Sequence, residues 1–272
     1  DPGYTHKEDW KTGSESAACG GVTAVVDMPN TNPFTSDYSQ FKEKERIAKE
    51  KSVVDFGIGI NVEENLTEQD WFETVPAAFW KLYPYGISSK DYFRLAQEVL
   101  GKTKKPLVVH CEHPDYMHNN PLEKLSDHTE NRLIAEEKCL SEMPPSKYLH
   151  VAHLSTSNGL RNLPSQSSTE VCPHHLLLNL DNCRSLDCKV DPPLRTISDN
   201  KTLYDAYRKG TIPILASDHA PHTVEEKKSS APPSGMPGVE TMVPLMLQGV
   251  VEKRLDLSRL VNSMAEAPAD RL

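Results

Sequence analysis

Short runs of apolar, often β-branched residues recur along the chain at intervals too long for hairpins. They are Gly21–Asp27 (GVTAVVD), Val53–Asn61 (VVDFGIGIN), Ala78–Tyr83 (AFWKLY), Pro106–Cys111 (PLVVHC), Tyr148–Leu154 (YLHVAHL), Thr169–Cys172 (TEVC) and Ile212–Asp218 (IPILASD). Continuous apolar runs without strict alternation predict strands covered on both faces, as in a parallel sheet. Helical composition lies between them. Asp37–Lys51 carries Phe41, Ile47 and Ala48 on one side, and Ser89–Leu100 opens on a serine N-cap and carries Phe93, Leu95, Ala96 and Leu100. Asp127–Leu140 and Gly238–Glu252 read the same way. Such an alternation predicts βα units, arranged as an open doubly wound sheet or as a barrel. No internal repeat or linker interrupts it, and the Ser/Pro-rich stretch Lys227–Gly238 reads as a mobile loop. The strand count falls one short of an eight-fold barrel.

Composition narrows the function classes. A length of 272 residues suits a single α/β barrel without a linker. The formal charge of −9 argues against a nucleic-acid or anionic-membrane surface. No apolar run approaches the roughly 20 residues of a membrane span, and no basic-then-apolar leader precedes Asp1. Cys19, Cys111, Cys139, Cys172, Cys183 and Cys188 form no CxxC pair, which predicts reduced thiols and a cytoplasmic protein. Eleven histidines are the compositional oddity.

Those histidines fall where strands end. The ends read Asp27-Met28-Pro29-Asn30, Lys81, His110-Cys111-Glu112, His153, Cys172-Pro173-His174-His175 and Asp218-His219. One histidine after a strand is usually a hydrogen-bonded structural residue. Recurrence over successive strands is the arrangement of a barrel active site, whose strand ends converge on one face. Two imidazoles and an aspartate from separate ends can form a divalent centre of the Zn²⁺ type. Lys81 has two readings there: it points away as a structural counter-charge, or CO₂ converts it to an anionic carbamate bridging two metals. Cys111 and Cys172 read as small buried hydrophobes rather than nucleophiles. Glu112 and His113 are either partners of His110 or loop surface. His174 and His175, on an extended chain, point oppositely, so at most one faces the site. Glu43, Lys44, Glu45 and Arg46 read as a solvated helical face.

HKEDW (6–10), GGVTAVVDMPNTNP (20–33), VVHCEH (108–113), HVAHLST (150–156), EVCPHHLLL (170–178), PPLRT (192–196), ASDHAPH (216–222) and GMPGVET (235–241) together resemble the dihydroorotases of the amidohydrolase superfamily. The likeness covers almost the whole chain and is weakest across 114–146 and 162–168. It implies a distorted (β/α)8 TIM-type barrel, with residues 1–272 as a single barrel domain. It also implies reversible, zinc-dependent cyclisation of N-carbamoyl-L-aspartate to L-dihydroorotate and water, in pyrimidine biosynthesis. Lys81 matches a carboxylated lysine bridging two zinc ions, and His110 and His153 match ligands of the second metal. Asp218 matches the aspartate that contacts the first metal and shuttles the proton. Asn30 and His222 match groups that hold the substrate carboxylate, and Pro237 and Gly238 match a loop whose backbone contacts the pyrimidine ring. A homo-oligomer and association with aspartate transcarbamoylase are further expectations.

The sequence also departs from the family. Its members end their first strand in Asp-x-His-x-His-x-Arg, just before a segment resembling residues 1–6. Strand one, two ligands of the first metal and a substrate-binding arginine are therefore expected to lie outside this sequence, as is a small β-domain built from both chain ends. His6 belongs to the following loop and does not replace those ligands. Asp191, where the family has Asn, would repel an anionic substrate unless protonated or turned away. By itself this chain is expected to turn over little or no substrate. The rival readings are a dihydropyrimidinase or allantoinase, and a non-catalytic homologue acting as a scaffold for another enzyme.

Overall fold

In the computed structural model, which describes residues 1–271, every predicted apolar run becomes a strand. They are β1 (Ala24–Asp27), β2 (Asp55–Asn61), β3 (Phe79–Leu82), β4 (Leu107–Val109), β5 (Leu149–Val151), β6 (Ser168–Val171) and β7 (Ile214–Leu215). All six neighbouring pairs are parallel, and the spatial order is the chain order from β1 to β7. That order decides between the two architectures. A doubly wound sheet reverses direction at a switch point, whereas successive crossovers of one hand that never reverse curl the sheet into a barrel wall. The fold is a TIM-type barrel wall of seven strands.

Helix α1 (Trp10–Cys19) precedes the sheet, and the crossovers carry α2 (Tyr38–Lys51), α3 (Ser89–Lys102), α4 (Leu125–Glu130), α5 (Ala135–Glu142), α6 (Ser157–Arg161), α7 (Pro173–Leu177) and α8 (Ile197–Arg208). After β7 come α9 (Val224–Lys227), α10 (Met242–Val251), α11 (Leu257–Val261) and α12 (Ala267–Arg271). Local chemistry sets several boundaries. Asp37 caps α2, accepting from the Gln40 amide while the Gln40 side chain caps the Asp37 amide. The cap of α3 is Ser88, one residue before the serine expected.

The expected helix over 127–140 is broken. Residues 131–134 leave helical geometry between α4 and α5. There the Asn131 side chain bonds the Asn120 carbonyl, and Arg132 turns inward to the buried carboxylate of Glu112. Tertiary partners for two polar side chains outweigh the local helical preference.

Two apolar layers line the sheet. Ile58, Ile60, Trp80, Leu82, Leu107, Val109, Leu149, Val151, Val171 and Leu215 face the helices in the main core. Phe79, Val108 and Ala152, with Val26, Met28 and Ala78, form a smaller cluster on the other face. In β2 the inner positions are Gly57 and Gly59, and a Cβ on Gly59 would lie 2.1 Å from the Phe79 ring. The glycine makes room for that ring.

Three further expectations change. Lys44 is not on a solvated face: it is fully buried, with Nζ 2.6 Å from Asp27 Oδ2 and donating to the Met28 carbonyl at 2.7 Å. Packing α2 on the sheet turns this lysine toward the end of β1. Cys183 and Cys188 form a disulfide, so the cysteines are not all free thiols as expected. The turn between them folds back and brings the two together across five positions. The stretch 227–238 is tied down, because Lys227 Nζ donates to the carbonyls of Lys189, Pro233 and Gly235.

Candidate active site

In a parallel sheet all C-terminal strand ends lie at one edge, so the polar ends identified in the sequence share one region. Alternation within strands orients the first of them. Phe79 and Lys81 share a face of β3, and Val108 and His110 share the corresponding face along β4, so Lys81 and His110 lie one step beyond the small apolar cluster. Lys81 is 2% exposed, with Nζ 5.0 Å from the centre of the Tyr83 ring. Burial lowers its pKa to about 8 against the opposing pull of Glu170 and Asp218.

Alternation does not explain His153. Continued extension from Val151 would turn its side chain toward the helices. Instead His153 adopts φ +36°, and its ring comes to 4.5 Å from that of His110, centre to centre. Asp218 is likewise left-handed, at φ +46°. Neither is a glycine, and such backbone outliers cluster where a function holds them. Asp218 Oδ2 lies 3.7 Å from His174 Nε2. Its carboxyl is pushed up to about 7, by burial first and then by Glu170, although 31% of the side chain still meets solvent. Solvent contact on that side screens part of the effect.

The polar surroundings of His110 are extensive. Its Nε2 lies 2.8 Å from Glu112 Oε2 and 3.3 Å from the Tyr85 hydroxyl. Arg132 Nη1 donates to the same Glu112 oxygen at 2.7 Å. Burial alone would raise the Glu112 pKa, yet the His110 hydrogen bond and the Arg132 charge hold it low. An ionised Glu112 places the His110 proton on Nε2 and leaves Nδ1 as the lone-pair nitrogen, the arrangement of a metal-binding histidine. Of the two readings of Glu112, the structure selects partner of His110.

Asp191 belongs to the same network. About 20% of its side chain meets solvent, and the rest is enclosed by polar partners. His128 Nε2 lies 2.8 Å from Oδ1, Arg132 Nη1 3.6 Å from Oδ1, and the Tyr85 hydroxyl 3.3 Å from Oδ2. Burial would raise its pKa, but His128 and Arg132 outweigh that and keep it well below the usual carboxylate range. Its carboxylate is held by partners within the protein.

His174 and His175 correct an expectation. They sit on helix α7 rather than an extended chain, so they do not point oppositely; both are buried, with rings 4.4 Å apart. Cys111 and Cys172 are buried as expected. His113 is buried also, 3.3 Å from Glu142.

The remaining expected substrate groups are exposed or bonded to other partners. Asn30 is exposed in the loop after β1. His222 is occupied: its Nε2 is 3.0 Å from the Ser234 carbonyl and its Nδ1 3.3 Å from Glu226. Pro237 is exposed, and the Gly238 amide donates to His219 Nδ1 at 3.0 Å. His219 Nε2 in turn meets Glu8 at 2.7 Å, linking the N-terminal segment to this loop. His6 is exposed, 3.4 Å from Glu226. Glu170, Arg132, Tyr85 and His128 were missed by sequence reasoning. Glu170 had a signal, inside EVCPHH; the other three lie in segments without a recognisable motif or read as plain helix.

The donor set suits a metal. His153 Nδ1 is buried without a hydrogen-bond partner, its ring 4.5 Å from that of His110, and the charges of Asp218 and Lys81 act on each other. Lys81, once carbamylated, would add oxygen ligands. The residues present fit a divalent ion.

No family model matches the chain. Among curated proteins, it is 35% identical over 294 residues to the dihydroorotase of Methanosphaera stadtmanae, covering 99% of this chain and 67% of that protein. It is 36% identical over 275 residues to the dihydroorotase of Pyrococcus abyssi, covering 97% and 63%. The dihydroorotase of Halobacterium salinarum is 33% identical over 289 residues, covering 99% and 68%. Among solved structures, L-hydantoinase (dihydropyrimidinase) from Arthrobacter aurescens matches with TM-score 0.84 and 27% identity over 96% of this chain and 66% of its own. Dihydropyrimidinase from Brevibacillus agri shares the fold, with TM-score 0.77 at 20% identity over 96% of this chain and 66% of its own. The chain spans about two thirds of the length of the relatives it matches.

Proposed function

The chain belongs to the dihydroorotase family, and from that premise we propose that its strand-end groups are the metal-dependent site for interconverting N-carbamoyl-L-aspartate and L-dihydroorotate. One observation carries the reading: Lys81, His110, His153 and Asp218 come from four different strand ends, His153 and Asp218 have left-handed backbones, and the His153 ring lies 4.5 Å from that of His110. We read residues 1–272 as one barrel domain.

Lys81 as its carbamate, with His110, His153 and Asp218, would hold zinc, two ions in the complete site, His110 and His153 serving the second and Asp218 the first. When bound, a divalent ion polarises the amide carbonyl and makes the attacking water more acidic. In the hydrolytic direction Asp218 accepts a proton from that water as its oxygen bonds to the ring carbonyl carbon. The carbon–nitrogen bond then breaks, and Asp218 returns the proton to the departing ring nitrogen, acting as base and then acid. Glu112 holds the His110 ring in position. The substrate carboxylate would meet Asn30 and His222, the latter after releasing Ser234 or Glu226, and Pro237 and Gly238 would border the ring. The paired state of Asp191 removes the repulsion that a free carboxylate would exert. A cytoplasmic homo-oligomer, with association to aspartate transcarbamoylase, completes the reading and is checked by light scattering with and without that enzyme.

The test is dihydroorotate hydrolysis with Zn²⁺ and bicarbonate present, beside Asp218→Asn and with hydantoin and dihydrouracil as competing substrates. Turnover of dihydroorotate that the asparagine variant loses at least 1,000-fold supports the proposal (about 4 kcal/mol of barrier). Equal activity in that variant removes Asp218 from the reaction, and preference for the uncharged rings assigns the chain to hydantoinase-type chemistry. If the chain alone is silent, the same assay with an added His-x-His-x-Arg strand segment decides between enzyme and scaffold.

A further inference from the structure

Helix α7 begins in an unusual way. Cys172, at its N-cap position, is followed after one proline by His174 and His175, and all three are buried. One ligand atom from each can be chosen so that the three lie within 4.8 Å of one another. Independently, two ring nitrogens here have no partner: His174 Nε2 and His175 Nδ1 are both buried and unbonded. The other nitrogen of His175 lies 3.0 Å from the Pro192 carbonyl, which fixes the proton on Nε2 and leaves Nδ1 with its lone pair outward from the ring. A buried polar atom left unpaired costs about 1–3 kcal/mol, so two beside one thiol point to something they hold.

We propose that Cys172, His174 and His175 form a binding site for a thiophilic divalent cation of the Zn²⁺/Cd²⁺ class, additional to the metal that Lys81, His110, His153 and Asp218 would hold. One sulfur and two imidazoles are the donor set of borderline and soft ions and discriminate against Mg²⁺ and Ca²⁺. A tetrahedral ion with bonds of about 2.0–2.3 Å spaces its ligands roughly 3.3–3.8 Å apart, so the three donors need to close by about 1 Å. As the sulfur–metal bond forms, the Cys172 thiol gives its proton to solvent and stays bound as thiolate. Asp218 Oδ2 lies 3.7 Å from His174 Nε2, so an oxygen donor is close to one of the three ligands. The site does not depend on the cyclic-amidase reading, since a chain without turnover would still bind the ion.

The experiment is Cd²⁺ titration of the full chain carrying Cys19→Ser, which removes the exposed thiol. The expected result is a near-ultraviolet thiolate-to-cadmium absorption band saturating at one per chain. Adding Cys172→Ser abolishes the band, and adding His174→Ala weakens Cd²⁺ binding at least tenfold, with circular dichroism confirming the fold. Absence of the band, or its survival in Cys172→Ser, overturns the proposal. Should the serine variant not fold, zinc X-ray absorption on the Cys19→Ser protein decides: sulfur and nitrogen neighbours support the site, and a shell of nitrogen and oxygen alone overturns it.

Discussion

Single buried side chains decide how the strand ends are held. Glu136 is fully enclosed and accepts from the Ser155 amide and hydroxyl at 2.8 and 2.6 Å, and from the Thr156 amide and hydroxyl at 2.8 and 2.5 Å. That clamp fixes the segment directly after His153, where the backbone is left-handed. Glu136→Ala leaves two buried amides unpaired and is expected to cost about 3 kcal/mol, read as a lower urea midpoint at unchanged slope. Glu112 acts through His110 instead. Glu112→Gln removes the charge that sets the His110 proton and strips the buried Arg132 guanidinium of its nearest carboxylate, and is expected to weaken zinc affinity about 10–100-fold together with a lower melting temperature. Unchanged affinity by calorimetric titration would exclude Glu112 from positioning His110. Lys44 shows how little charge alone says about placement: one residue in a charged helical run swings under α2 to meet Asp27 and Met28.

Helices and turns are governed by caps and by what packs against them. Asp9 caps α1, accepting from the Thr12 amide at 2.9 Å. That hydrogen bond chiefly, with help from Lys51, lowers its pKa from 3.8 to about 2. A depressed carboxylate pKa stabilises the fold above the unfolded value and loses that contribution as pH falls through the folded one. Asp9→Ala is therefore expected to lower stability by about 1 kcal/mol at pH 6. The gap from the parent protein should narrow between pH 4 and about 2, as followed by thermal melts; a gap constant with pH would mean the cap is not ionic. Strands and the first long helix were readable because their periodicity is local. The break between α4 and α5 was not, because Asn131 and Arg132 leave the helix for partners at Asn120 and Glu112 that only folding brings near.

The whole barrel wall depends on a close fit between neighbouring strands and on what occupies its open edge. Gly59→Ala would drive a methyl into the Phe79 ring. It is expected to cost about 1–3 kcal/mol and to loosen the layer beneath Lys81, seen together as a lower melting temperature and weaker metal binding. Ligands that bind only the folded state raise its stability by mass action. Removing metal with a chelator should then lower the melting temperature by about 5 °C or more, with Zn²⁺ restoring it. No shift on either step would indicate that these donors hold no ion.

Much was decided along the chain itself. Seven apolar runs, their order, and the polar residues at six of their ends, Lys81, His110, His153 and Asp218 among them, are all local features. Hydrophobic periodicity and turn chemistry need no distant partner to be read. Tertiary structure alone decided that the sheet curls in chain order, that His153 and Asp218 adopt left-handed backbones, and that the His153 ring meets that of His110. It also decided that Arg132 and His128 pair with Asp191, that Lys44 is buried, and that Cys172, His174 and His175 stand together. Apart from the Cys172–His175 cluster, which the turn of α7 sets locally, these outcomes rest on contacts between residues distant in sequence and on burial, which sets the strength of charge interactions and the cost of an unpaired group. Neither exists until the chain is packed.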